Sequence, residues 1–172
     1  MAIYDWDDNQ YPLAYFITIR THGTWLHGDE RGSVERHDRN LYGGDRIGLD
    51  PVFSVIMGRN MAADAFLLDA AQRKVVDEAI KSVCIIREFG LKALNVRTNH
   101  AHIVVTAPVK PNAVMVAFKA NATRELKAAL LVGTDQKVWS RGGSTKYLWK
   151  PMNVERAIDY TINGQGEDLP DF

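Results

Sequence analysis

The stretch "NHAHIVV", Asn99 to Val105, sets two histidines one residue apart at the head of an apolar run. In a strand, side chains at i and i+2 share a face. His100 and His102 then point the same way with Val104, while Ala101, Ile103 and Val105 point the other way. Two neutral imidazoles on one face can hold a divalent ion, and the interleaved apolar residues anchor the strand beneath them. Two ligands are too few for a tight site, so a third donor must come from elsewhere in the chain. An H-x-H triplet also arises by chance, so the pair carries meaning only with corroboration. The remaining histidines, His22, His27 and His37, stand at spacings that match no standard metal motif. The single cysteine, Cys84, rules out an internal disulfide and a Cys-rich zinc site, and points to a reducing cytoplasm.

The elements that must position the histidine strand can be read on both sides of it. "AYFITIR" (Ala14 to Arg20) is β-branched and aromatic, the composition of a strand. From Thr21 to about Asn60 the chain is rich in Gly, Asp, Arg and His without a sustained period. That is a long loop, too long for an ordinary connector. "MAADAFLLDAAQRKVVDEAIKSVCIIREFG" follows as a long helix. Its stripe is Ala71, Val75, Ala79, Val83 and Ile86, with Val76 and Ile80 beside it and Gly90 as a C-terminal cap. "LKALNVR" and "HAHIVVTA" are two strands of a hairpin separated by Thr98-Asn99. A second helix is expected from about Asn112 to Leu131, ending at Gly133. "STKYLW" (Ser144 to Trp149) is a further strand introduced by Gly142-Gly143. Asn153 suits the N-cap of a last helix, "VERAIDYTIN", which Gly164 would stop. The order β, α, β, β, α, β, α predicts an α+β fold of ferredoxin-like kind, one antiparallel sheet with helices packed on its face.

The chain of 172 residues is expected to form one domain over 1–172, large enough for a substantial core. The N-terminus "MAIYDWDDNQ" is acidic and lacks an apolar segment, so it does not read as a signal peptide, and no apolar run is long enough to span a bilayer. Net charge is zero, but its distribution is uneven. Lys110 to Arg156 holds nine Lys/Arg against three Asp/Glu, a local balance of +6, and the remainder balances at −6. Such a chain can present a basic face while its total is neutral.

Taken together, these stretches resemble the single-tyrosine HUH transposases, the group of small insertion-sequence and REP-associated transposases. "TNHAHIVV" is similar to the family's histidine–hydrophobic–histidine motif. "YFITIR" matches as first strand, followed by the long helix, "FKANATRELK", "WSRGGSTKYLW" and a tyrosine in the last helix, and "GTWLHGDERGSV" looks like the leader of one subgroup. The resemblance implies an HUH nuclease fold and a metal-dependent enzyme that nicks and rejoins single-stranded DNA at hairpin-flanked sites. In that chemistry a tyrosine oxygen attacks a phosphodiester to give a 5′-phosphotyrosine and a free 3′-OH, with Mg²⁺ or Mn²⁺ as the divalent ion. A phenol with a pKa near ~10 is a better leaving group than an aliphatic hydroxyl, which suits reversible strand exchange. Members often dimerise, some by exchanging the tyrosine helix, so a homodimer is expected and a membrane partner is not.

On this resemblance Tyr160 is the nucleophile. Val154, Ala157, Ile158, Thr161 and Ile162 can make the buried stripe of the last helix, while Arg156, Tyr160 and Asn163 fall on a separate one. Tyr147, in a strand, reads as sheet packing. Members of the family place a Gln or Asn metal ligand four residues after the tyrosine, and here that position is Gly164, flanked by Asn163 and Gln165. Either neighbour offers a neutral carbonyl oxygen beside His100 and His102. Gln165 is favoured because Gly164 can end the helix and turn the next side chain back, and Asn163 is the alternative. For DNA, Lys119, Thr123 and Lys127 share a helical stripe with Arg124 adjacent, Arg141 and Lys146 flank the Gly-rich turn, and Arg156 lies near Tyr160. Trp25, Trp139 and Trp149 could stack unpaired bases. Two other readings compete. One is a non-catalytic, domesticated relative that binds hairpin DNA, suggested by the altered spacing after Tyr160. The other is an unrelated metallohydrolase, disfavoured because no Asp or Glu stands close enough in sequence to complete a familiar motif.

Overall fold

Every second residue of "AYFITIR" is apolar on one face, and the other face is mixed, yet Ala14 to Ile19 are all buried. A strand covered on both faces belongs in the middle of a sheet. The structure, a computed structural model, describes residues 11–24, 33–34, 46–47 and 65–165. In chain order the elements are β1 (Ala14–Arg20), β2 (Ser33–Val34), β3 (Arg46–Ile47), α1 (Ala70–Ile86), β4 (Gly90–Val96), β5 (His100–Thr106), α2 (Pro111–Ala128), β6 (Ser144–Leu148) and α3 (Pro151–Asn163). The main sheet runs β4-β5-β1-β6 with all neighbours antiparallel, and β2 and β3 pair as a separate ribbon. With the four main strands numbered along the chain, this is the 2-3-1-4 order of the split βαβ arrangement that the element order predicted.

The helices divide between the two faces. Tyr15, Ile17 and Ile19 of β1 and Ala101, Ile103 and Val105 of β5 pack against Val76, Ile80 and Val83 of α1 and Val114 and Phe118 of α2. Ala14 and Phe16 of β1, Val104 of β5, Ala93 of β4 and Leu148 of β6 pack against Val154 and Ala157 of α3 on the opposite face. Full burial of a side chain such as Phe118, Ile80 or Leu126 contributes about 1.5–3 kcal/mol, so the α1/α2 layer carries most of the core. The α3 layer is thinner and leaves room for polar side chains.

Local chemistry sets the helix ends, and several differ from the expected ones. Helix α1 starts at Ala70 because Asp69 and Gln72 form a reciprocal capping box, so "LLD" stays outside it. Gly90 does not cap α1. The cap is Arg87, Glu88 takes the left-handed turn (φ 56), and Gly90 opens β4. Asn153 lies inside α3, whose cap is Lys150 with Pro151 at the first helical position. Helix α2 likewise begins at Pro111 and closes at Ala128, short of Leu131. Most of the long loop at about 21–60, with Trp25, His27 and His37, lies outside the described residues. Among the described residues, no helix is long and apolar enough to cross a membrane.

Candidate active site

Register brings the polar residues of the α3 face together. His100 stands opposite Arg20 and His102 opposite Thr18 across β5 and β1, so all four side chains share the face on which α3 lies. The ring centroids of His100 and His102 are 4.6 Å apart. His102 is buried, stacked on Phe16 with centroids 5.3 Å apart, and its Nδ1 hydrogen-bonds with the Thr18 hydroxyl at 2.8 Å. His100 donates from Nδ1 to Asn99 Oδ1 at 2.6 Å, which leaves Nε2 as the nitrogen with a lone pair in the neutral ring. Thr18 and Asn99 therefore act as partners of the ring nitrogens that orient the two imidazoles.

Tyr160 meets these rings from above. Its ring is 5.4 Å from His102 and 6.0 Å from Phe16, edge-on to both, and the residue remains partly exposed. Helix α3 is held over β4 by Asn95, whose side-chain amide donates to the Thr161 carbonyl at 2.9 Å. Val154, Ala157 and Thr161 are buried as their spacing predicts, whereas Ile162 is exposed.

The helix ends at Gly164, as expected, and the next residue turns back. Gln165 donates from Nε2 to the Tyr160 carbonyl at 2.9 Å, and its Oε1 lies 3.1 Å from His100 Nε2. Both ring nitrogens of His100 thus face amide oxygens, which only accept, so either a ring proton or a bound cation must stand between Nε2 and Gln165 Oε1. Gly164 permits the turn. A Cβ there would stand 2.8 Å from the Tyr160 carbonyl oxygen and 2.7 Å from Cδ2 of its ring, closer than side chains tolerate. Asn163 points elsewhere, donating to Asp159 Oδ1 at 2.8 Å on the exposed side of the helix. The structure thus gathers His100, His102, Tyr160 and Gln165, and leaves Asn163 out.

The electrostatics suit lone-pair donation. Burial, then the His100 ring, then the Arg20 charge lower the pKa of His102 to about 3, against a weaker opposing hydrogen bond to Gln165 as acceptor. A neutral imidazole is the form that binds metal. Two imidazoles and one amide oxygen fit a borderline divalent ion such as Mn²⁺ better than Mg²⁺, which prefers an all-oxygen shell. Among the described residues, no group of three or more His, Cys, Asp or Glu is placed to hold a metal ion. Any ion here would thus rest on the two histidines and the neutral amide. Cys84 offers no competing nucleophile, since burial pushes its thiol up to about 11.

The cationic stripe of α2 is placed differently from what its spacing suggested. Helix α2 packs on the face opposite the histidines. Lys119 donates to the carbonyls of Ser140 and Gly142, Lys127 to the Thr134 carbonyl at 2.6 Å, and Arg124 to Glu125 and Asn121. Thr123 accepts from Trp139 Nε1. The stripe faces the chain's own 132–142 segment, which takes up its hydrogen bonds, so it does not line the histidine site. Tyr147 also lies on the far face, opposite Tyr15 and edge-on to it at 5.4 Å, with Trp149 stacked on it. Lys146, by contrast, stands opposite Phe16 and so on the histidine face. Arg141 is in the turn before β6, and Arg156 is exposed on α3 one turn before Tyr160. Thr18 and Arg20 escaped sequence reasoning because only strand register reveals them, and the role of Asn99 depends on its side chain turning back to the neighbouring ring.

No family model matches the chain, and no curated protein matches it. Among solved structures, the chain is similar to one of a REP-associated tyrosine transposase bound to a REP hairpin, at 15% sequence identity and a TM-score of 0.49, over 94% of this chain and 70% of that one.

Proposed function

We propose that this protein is a metal-dependent DNA strand transferase that nicks and rejoins single-stranded DNA beside a hairpin, with Tyr160 as its nucleophile. One observation carries the reading: a tyrosine, two oriented imidazoles and an amide oxygen converge from one strand and the end of one helix. His100, His102 and Gln165 would hold a divalent ion, Mn²⁺ or Mg²⁺. When bound, that ion would polarise the scissile phosphate and offset its developing charge. Tyr160 supplies the oxygen. Its Oη forms a bond to phosphorus as the bond to the 3′ oxygen breaks, the phenol proton is lost, and the 3′ oxygen leaves to become a hydroxyl. The phosphodiester count is unchanged, so the step needs no nucleotide cofactor and runs in reverse when a 3′-OH attacks the phosphotyrosine. Phe16 and His102 hold the Tyr160 ring edge-on, which limits its orientations before attack. Thr18 and Asn99 keep the imidazoles turned toward Gln165.

The experiment is incubation with single-stranded hairpin DNA and Mn²⁺, read on a denaturing gel. The expected product is a covalent protein–DNA adduct that Tyr160→Phe abolishes while DNA affinity stays near wild type. Adduct formed by Tyr160→Phe but lost in Tyr147→Phe would move the nucleophile to Tyr147. Tight hairpin binding without adduct from the wild type would make the protein a binding module instead.

A further inference from the structure

The sheet face that holds the histidines extends past them over β1 and β6. Register places Phe16, Thr18 and Arg20 on this face from β1, and Ser144 and Lys146 opposite Thr18 and Phe16 from β6. Every charged side chain that these pairings put on the face is a cation, and none is a carboxylate. Helix α3 starts beside Leu148 and Ala14 and ends over β4 and His100, so its path runs diagonally toward the β4 side. Among the described residues, no helix crosses the corner formed by Thr18–Arg20 and Ser144–Lys146. The α2 stripe is on the far side of the sheet, where Lys119 and Lys127 donate to backbone carbonyls of the 132–142 segment.

Resting on the strand-transferase reading, we propose that the DNA backbone reaches the site across β1 and β6, with Arg20 holding the phosphate beside the histidines and Lys146 holding another phosphate of the same strand. Arg20 stands directly opposite His100, so a phosphate oxygen it clamps lies within reach of the site, and a guanidinium can grip such a phosphate through two N–H groups. Arg20 stands four steps along β1 from Phe16, the residue facing Lys146. That is about 13 Å along the strand and about 5 Å across it, so the two cations serve different phosphates. Thr18, buried and bonded to His102, and Ser144 opposite it lie between them. Neither cation reads a base, so this track sets where the strand lies and leaves sequence choice to other contacts.

The test compares Arg20→Gln, Arg20→Lys, Lys146→Gln and Lys127→Gln, with Lys74→Gln on the far surface of α1 as a control. Affinity for a fluorescent single-stranded oligonucleotide is measured by anisotropy without metal, across a salt series. Circular dichroism melts confirm that each variant is folded. Each lost contact should flatten the plot of log K against log salt by about 0.7. The excess Kd of the variant should then shrink about 2.6-fold between about 50 and about 200 mM salt. Arg20→Gln and Lys146→Gln should each show this, Arg20→Lys should keep the wild-type slope, and Lys127→Gln and Lys74→Gln should be unchanged. Wild-type affinity and slope in both Arg20→Gln and Lys146→Gln, or the effect appearing in Lys127→Gln instead, would overturn the path. If those variants lose affinity but the wild type forms no adduct with Mn²⁺, the path stands and the catalytic reading falls. If adduct forms and the slopes do not change, the catalytic reading stands and the path falls. A wild type that neither binds nor reacts sinks both.

Discussion

Acidification should destabilise this protein through His102 in a way that one substitution removes. In the unfolded chain the imidazole takes its proton near pH ~6.5, whereas in the fold its pKa lies at about 3. A depressed folded pKa means that the unfolded state binds more protons between those values. The associated stability is therefore fully present above pH ~6.5 and is lost as the pH falls toward about 3. The slope is about 1.4 kcal/mol per pH unit, and integrating from pH 7 to pH 4.5 gives a loss on the order of 2–3 kcal/mol from this residue alone. That is a sizeable share of the ~5–15 kcal/mol that holds a typical domain folded. Carboxylates titrate in the same range, so the quantity to measure is a difference between two proteins. Urea unfolding of wild type and His102→Asn at pH 7 and pH 4.5, with chelator present to keep metal out of the linkage, yields that difference directly. Asparagine retains a polar group for the Thr18 hydroxyl but cannot titrate. Wild type should lose about 2–3 kcal/mol more than the variant over the interval, whatever their stabilities at pH 7. Parallel losses would mean that His102 titrates alike in both states, and the burial argument would be wrong.

Three further outcomes follow from the geometry. Gln165→Ala should impair cleavage of a hairpin substrate far more than Asn163→Ala across a Mn²⁺ titration, because only Gln165 turns its amide oxygen to His100; the reverse ranking would put the donor on Asn163. Mn²⁺ should support cleavage at lower concentration than Mg²⁺, since two of the three donors are imidazole nitrogens; equal midpoints in paired metal titrations would count against this donor set. Phe118→Ala, emptying the centre of the α1/α2 layer, should cost about 3–5 kcal/mol in urea unfolding, and a loss below about 1 kcal/mol would show that the layer collapses around the gap.

The elements around the histidines were largely legible because their signals are local. The first strand is bounded as its β-branched run suggested, the hairpin turns at residues 97–99, and α3 stops at Gly164. Helix starts were less legible: the pair Asp69 and Gln72 caps α1 where composition alone would have let the helix run back to Met61. The shared face of His100 and His102 follows from strand alternation, and the return of Gln165 follows from a glycine next to it. What the sequence hid depends on register. Thr18 and Arg20 face the histidines only because β1 pairs with β5 as it does, and a shift of one residue would replace them with Ile17 and Ile19. The placement of the α2 cations was hidden for a related reason. Their spacing defines a stripe correctly, but nothing in the spacing says that the stripe turns toward the carbonyls of the 132–142 segment.

The bond from Gln165 to the carbonyl of Tyr160 has a mechanical meaning. The residue that would complete the cation cradle grips the peptide unit of the residue that would attack, and Gly164 between them has no space for a side chain. The bond ties the placement of the Gln165 amide to that of the Tyr160 backbone. Fraying of the last helical turn would therefore loosen amide and phenol together, because both hang from the same peptide unit at the helix end.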